Sequence, residues 1–396
     1  VIERGEVEAY CRQAPPEVVT AVEGVAAEWA RLKQAGGRVV AATGSGPHLH
    51  EGVTCLVAGL IRAGLIDGVL TSAAVVAHET AGTLELIKRT DGRDVGWPAR
   101  LLPADGMVEF SLADEATWAM FQAELDLDQD LVAALKQAPG TEIIKVAGNL
   151  AYPSGLRAEQ LAQEVCPLAR QRGDPLELAL GRGADPLTMI GAGAAAGVPV
   201  VVTTPQLVGG GAVGLALAES IPATDRSRLV AEVLAQADLV IESGLALAQE
   251  IHDGPFETFT GHGLWAGFRG ETTFSLGDKK FVRIDLDPTL EAVINAQREK
   301  AAVTEAIHQG RPKAKTLAVP FRMEMSGFAR LPRASLIRAD LGMVWPLLAL
   351  EVSRRLGVGL PFYSLPQETP AGGRMRAWIA RNVRPVDRAL ALETEI

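Results

Sequence analysis

Residues 38–79 read RVVAATGSGPHLHEGVTCLVAGLIRAGLIDGVLTSAAVVAHE, and this stretch decides the fold. An apolar run from Arg38 to Thr43 enters a turn made of Gly44, Ser45, Gly46 and Pro47. A helical stretch, Val53 to Ala63, follows before a second short apolar run, Gly68 to Thr71. Strand, glycine turn, helix, strand is the crossover unit of a parallel sheet. It places turn amides and a helix N-terminus at the C-terminal end of the strands, where a phosphate or carboxylate is favourably held. Polar residues follow both strands: Thr43, Ser45, His48 and His50 after the first, Thr71, Ser72, His78 and Glu79 after the second. A ligand site is expected there.

Working outward, a chain of 396 residues is long enough for a large core, and for two lobes rather than one. Apolar residues make up 48% and charged residues 22%, the balance of an ordinary globular protein, while 41 glycines and 5% aromatics favour a turn-rich α/β architecture. The net charge of -10 gives no general attraction to a polyanion, and no basic cluster interleaves with aromatics, so nucleic acid is not expected as a partner. Cys11, Cys55 and Cys166 lie far apart without a C-x-x-C pair, which fits a reducing cytoplasm better than a disulfide framework or thiolate zinc site. No basic, apolar leader follows Val1, again the expectation of a cytoplasmic protein. The uncharged stretch Pro186 to Ala218 holds seven glycines and three prolines, too many breakers for a lipid-exposed helix, so no membrane partner is expected.

Residues 1–35 carry Val18, Val22, Val25, Ala26, Trp29 and Leu32 at spacings of three and four, a helix stopped by Gly36 and Gly37. It either covers the sheet or forms an arm to another subunit. Residues 77–90 are expected to be the next helix, and Asp114 to Leu135 a helical region with a solvated acidic face. Glu142 to Ala147 is expected as a buried strand, Val198 to Thr203 as a central one opening into a glycine-rich loop, and Asp238 to Glu242 and Lys280 to Ile284 as two more. Asp285 and Asp287 close the last of these; they suit either a ribose hydroxyl or a helix N-cap. The fold class expected is α/β: a parallel, doubly wound, Rossmann-like sheet with helices on both faces. Its divisions are a helical arm over 1–35, an α/β domain over 36–320 with a lobe break near 140–185 as one option, and an extension over 321–396.

The stretch EGVTCLVAGLIRAGLIDGVLTSAAVVAHE resembles the segment of deoxyhypusine synthases in which a strand, its turn and a following T-T-A-like tip hold NAD. AAGVPVVVTTPQLVGGG, LVAEVLAQADLVIESGLALAQEIHDG and FVRIDLDPTLEAV resemble still more the deoxyhypusine-synthase-like domain of the LOR/SDH family, which ends ornithine cyclodeaminases of the archaeal and cyanobacterial type. The likeness covers residues 36–90 and 186–300. It implies NAD in a crevice made by Ser45, Gly46, Thr71, Ser72, Ala73, Ser243, Gly244, Asp285 and Asp287. Where deoxyhypusine synthases carry an acidic run after the tip, this chain has Ala77, His78 and Glu79, and no tryptophan-glycine-lysine motif follows, which points away from a protein-modifying synthase.

Five of the six histidines, His48, His50, His78, His252 and His262, fall in loops expected after strands. Imidazole titrates near neutrality and suits proton removal from an amine being oxidised to an imine by NAD. The catalytic residues expected are His78, Glu79, His50 and Glu109, the last set among apolar neighbours. The substrate class is a small, ornithine-like amine or amino acid, and a crevice near a subunit boundary implies a homo-oligomer. Two alternatives stand beside this: a metal-dependent lyase or hydrolase using His48, His50 and His262, and a non-catalytic ligand-binding protein.

Overall fold

The computed structural model describes residues 2–44, 46–149, 152–203, 210–244, 276, 278–288, 291, 295, 305, 308–311 and 333–393. Two helices, α1 (Arg4–Cys11) and α2 (Pro16–Gln34), precede β1 (Val39–Thr43), α3 (Gly46–His50), α4 (Val53–Arg62), β2 (Gly68–Thr71) and α5 (Ala73–Thr80). An insertion follows: β3 (Leu84–Asp91), β4 (Met107–Ser111), α6 (Glu115–Glu124), α7 (Gln129–Gln137) and β5 (Thr141–Val146). Then come α8 (Pro153–Arg172), α9 (Leu176–Gly181), α10 (Met189–Ala196), β6 (Val200–Val202), α11 (Gly211–Ser220), α12 (Ala223–Gln236), β7 (Leu239–Ser243), β8 (Lys280–Ile284) and β9 (Ala334–Ile337). The helices α13 (Leu341–Leu356), α14 (Pro370–Asn382) and α15 (Arg388–Leu392) complete the described elements.

Six strands form one parallel sheet in the order β6-β2-β1-β7-β8-β9. Counted along the chain within that sheet, the order is 3-2-1-4-5-6, the doubly wound, Rossmann-like arrangement in which the winding reverses between β1 and β7. Both faces are covered. Val39, Ala41, Val69, Leu239 and Ile241 pack with α2, α4 and α13, while Val40, Ala42, Leu70, Val240 and Phe281 pack with α12. The alternating strand residues thus serve two apolar layers, which is why these strands read as unbroken apolar runs. The periodic face of α2 is buried as its spacing implies, and Trp29 fixes it by donating Nε1–H to Leu65 O at 3.0 Å. Full burial of such a side chain contributes about 2–3 kcal/mol.

Three local expectations are corrected. Residues 77–90 are not one helix: α5 stops at Thr80, Gly82 and Thr83 take φ of +104° and +70°, and β3 begins at Leu84. No helix continues through two successive left-handed residues, so the chain leaves the main sheet there. The strand near Glu142 is not deeply buried, because β5 is an edge of the separate antiparallel sheet β4-β3-β5. The strand near Val198 is an edge strand rather than a central one. Its valines are sheltered because Glu177 and Arg226 cover the open edge: Val202 N donates to Glu177 Oε1 at 2.9 Å, and Arg226 Nη1 donates to Val202 O at 3.2 Å and to Glu177 Oε1 at 2.6 Å.

No helix among the described residues is long and apolar enough to cross a membrane. Pro186 to Ala218 contains α10, β6 and most of α11.

Candidate functional site

Parallel registry puts the ends of β1, β2 and β7 side by side. Ala42 lies opposite Leu70 on one flank, and Thr43 opposite Ser243 on the other. Thr71 Oγ1 donates to Thr43 O at 2.6 Å, so the Gly44-x-Gly46 turn and the Thr71-Ser72 tip leave the sheet as neighbours. Ser72 caps α5, accepting from Val75 N, and Ala73 is the first residue of that helix. A Cβ built on Gly46 meets nothing within 4 Å, so the turn backbone is open to approach. At the end of β6 on the same edge, Thr203 Oγ1 is buried with no hydrogen-bond partner among the described residues.

Ser243 sits at the winding reversal, fully buried. It receives Trp345 Nε1–H at 2.9 Å and lies 2.7 Å from His48 Nε2. Gly244 beyond it takes φ +61°, the left-handed region that glycine enters freely. Burial pushes the His48 imidazole down to about 3, so it is neutral at physiological pH. At the end of the next strand, β8, Asp285 accepts from Arg283 Nε and Nη2 at 3.1 and 3.0 Å and from Asp287 N at 2.9 Å. Arg283 also reaches Glu242 at 3.2 Å. At roughly 5 Å per strand these acids lie about 10 Å from Thr43, on the β7–β8 half of the edge. β2 ends in hydroxyls where a dinucleotide fold often carries its ribose-binding acid.

The histidines on α3 face different ways. Two residues is about 200° of helix, so His48 turns toward Ser243 while His50 turns toward the insertion. There His50 Nδ1 accepts from Arg376 Nη2 at 3.2 Å, and the same nitrogen of Arg376 donates to Ile144 O at 2.6 Å. Arg376 Nε is buried and has no hydrogen-bond partner among the described residues. Burial, then Arg376, His78 and Lys145, lower the His50 pKa from its ordinary value. His78 Nδ1 lies 2.5 Å from Ala147 O; a carbonyl only accepts, so the ring proton is on Nδ1 and the lone pair on Nε2. Burial lowers its pKa too.

Glu109 stands on β4 close by, accepting from Lys145 Nζ at 2.8 Å and from Tyr152 O–H at 2.5 Å, with Arg89 Nε 3.2 Å away as an ion-pair partner. Burial alone would raise its pKa, but Lys145, Tyr152 and Arg89 outweigh it and hold the carboxylate below its ordinary value. The apolar neighbours that suggested a dry carboxylate are therefore countered by cations. Glu79 points elsewhere: its two oxygens accept from Met189 N at 2.8 Å and Ile190 N at 3.1 Å, closing the N-terminus of α10 inside the core. His50, His78 and Glu109 thus gather beside the end of β5, and Glu79 does not join them. Ser45, His252 and His262 lie outside the described residues. Among the described residues no three His, Cys, Asp or Glu form a group that could hold a metal ion.

Several residues were not legible as site components beforehand. Trp345 and Arg376 both lie in the extension over 321–396, where the sequence carries no site motif. Tyr152 and Lys145 acquire meaning only through their shared contact with Glu109.

A parallel sheet in this order, with an open glycine turn at its reversal, defines a doubly wound α/β protein. No protein-family model and no curated protein matches the chain. Among solved structures it is similar to a cysteine-to-alanine variant of AgrE bound to L-arginine, with TM-score 0.42 and 14% identity over 86% of this chain and 34% of that one. A putative LOR/SDH protein from Methanococcus maripaludis S2 gives TM-score 0.42 and 12% identity over 86% of this chain and 70% of the other. The ternary complex of AgrE with ornithine and NAD+ gives TM-score 0.40 and 14% identity over 85% and 33%. The chain spans about a third of the length of AgrE. Likenesses of this strength carry no argument about activity.

Proposed function

We propose that the protein is an NAD-dependent enzyme that oxidises a small amine or amino acid to an imine. The observation that supports this most is the Gly44-x-Gly46 turn at the reversal of a 3-2-1-4-5-6 sheet, the position where such folds take a dinucleotide. The residues present fit that group: an open turn at Gly46, an orphaned hydroxyl at Thr203, and Ser72 and Ser243 flanking β1 on the same edge. Bound there, NAD would supply a hydride acceptor.

The chain's own part is to remove a proton and hold the substrate. His78 Nε2 carries a lone pair in a ring kept neutral by burial, so it can take the N–H proton as the substrate carbon gives up its hydride. Arg376, with an unpaired buried Nε, can hold a substrate carboxylate beside His50. Neither role requires Glu79, whose oxygens are committed to α10.

Calorimetry with NAD+ decides the first step. A rise in Tm that grows with NAD+ concentration is expected, because a ligand that binds only the folded state stabilises it by mass action. Spectroscopic appearance of NADH at 340 nm with an amine panel headed by ornithine and arginine tests turnover. Binding without any NADH, under every amine, would leave a nucleotide-binding protein rather than an oxidoreductase. The same reading expects a homo-oligomer, which light scattering measures.

A further inference from the structure

Apart from the strand-end crevice proposed for the dinucleotide, a cavity of about 380 Å³ opens between the inserted sheet and α14. That is within the size range of small-molecule sites. Its distance from the crevice follows from α5: Ser72 caps one end of that helix and Ala81, on the cavity wall, follows the other. Nine residues at 1.5 Å each separate the two places by about 13 Å.

Glu85, on the central strand of the insertion, lines this cavity. It is held by a built set of donors: Ser154 O–H at 2.6 Å and Gly148 N at 3.3 Å on Oε1, and Ser111 O–H at 2.8 Å on Oε2. Gly148 takes φ +81°, and a Cβ there would sit 2.8 Å from that of Ala81, so the bend that aims its amide demands glycine. Three of the carboxylate's roughly four acceptor positions are filled, leaving room for one more donor. Leu84, Leu112, Phe121 and Val383 supply apolar walls.

At the mouth, Arg384 is committed to Asp114 at 2.6 Å, while Arg381 lines the cavity with no ion pair among the described residues. A firmly held carboxyl group with a spare acceptor position, apolar walls and an uncommitted cation call for a ligand with an amine at one end, methylenes between, and an acid at the other. An α-amino acid carries its two charges too close together to use both unless its side chain ends in a second amine.

We propose that this cavity is a second small-molecule site, distinct from the dinucleotide crevice, that takes an ω-amino acid with its ammonium group on Glu85 and its carboxylate at Arg381. Burial, opposed by Ser154, Ser111 and Gly148, places the empty Glu85 carboxyl at about 7, and an ammonium on it lowers that value. The other charged groups around it are the Asp114–Arg384 pair, Arg381, and the Glu109, Lys145 and Arg89 set beyond Tyr152.

The test is calorimetric titration of the full chain with 5-aminovalerate, pentylamine and valerate. 5-Aminovalerate is expected to bind, pentylamine about tenfold more weakly, and valerate not measurably. At pH 7, binding releases about half a proton, read from the dependence of the heat on buffer ionisation, and the release fades by pH 8.5. Arg381→Leu, at an exposed position where folding is not at stake, reduces 5-aminovalerate to the pentylamine level, and Glu85→Gln abolishes both. Valerate binding as well as 5-aminovalerate, an Arg381→Leu protein that binds unchanged, or no binding of 5-aminovalerate to the folded wild type would each overturn the proposal. The titration is run with and without NAD+, and equal affinities are expected. Its outcome therefore stands apart from whether NAD binds at all.

Discussion

His48 Nε2 lies 2.7 Å from Ser243 Oγ, joining the first helical turn after β1 to the end of β7 across the line where the sheet reverses its winding. Trp345 donates to the same oxygen from α13, so three distant parts of the chain meet on one hydroxyl. The contact ties α3 and α13 to the end of β7.

Its pH dependence follows from burial. His48 titrates at about 3 when folded against an ordinary 6.5, so the unfolded chain binds a proton more readily. The stability tied to a neutral His48 is fully present above pH 6.5 and is lost progressively as pH falls toward 3. Denaturant unfolding from pH 7 down to pH 4 should show this decline, and a His48→Asn protein should show less of it at a lower starting stability. Parallel curves for the two proteins would mean that His48 is not the group responsible.

Gly46→Asp should fold normally, because a Cβ there meets open space, yet weaken NAD+ binding by tenfold or more by placing a carboxylate against the phosphates. Fluorescence titration with NAD+ measures it. Unchanged affinity would remove this turn from the cofactor site.

His78→Asn should lower turnover by about 10²- to 10⁴-fold, the usual worth of a positioned base, with NAD+ affinity largely retained. Because burial holds the imidazole below its ordinary 6.5, the acid limb of kcat/KM in the wild type should fall below pH 6.5. A limb above that value would point to another base.

Arg226→Met tests what closes the sheet. Its guanidinium and the Glu177 carboxylate are 4% and 0% exposed, so removing the cation strands a buried charge at the edge of β6. A cost of about 3–5 kcal/mol is expected by urea unfolding, far more than for an exposed pair such as Arg228 with Asp225.

The sequence by itself determined the kinds of element and their sense. Runs such as Val39–Thr43, Leu239–Ser243 and Lys280–Ile284, cut off by glycines or acids and separated by helical spacing, leave little choice but parallel strands, since that information is local. It also put Gly46, Thr71 and Ser72 at strand ends, the side of such sheets where ligands commonly bind. What only the tertiary structure decided is which strand neighbours which, and where polar side chains point. Val198–Thr203 reads as a central strand because apolar content reports burial, and burial by Glu177, Arg226 and the flanking helices looks the same along the chain as burial by two strands. Likewise His48 and His50 are equivalent in sequence, yet helical twist sends one to Ser243 and the other to Arg376, which is 326 residues away. Glu79 and Glu85, six residues apart, part company because two left-handed residues at Gly82 and Thr83 turn the chain from one sheet into another. Partners that far apart are chosen by packing, which no local pattern encodes.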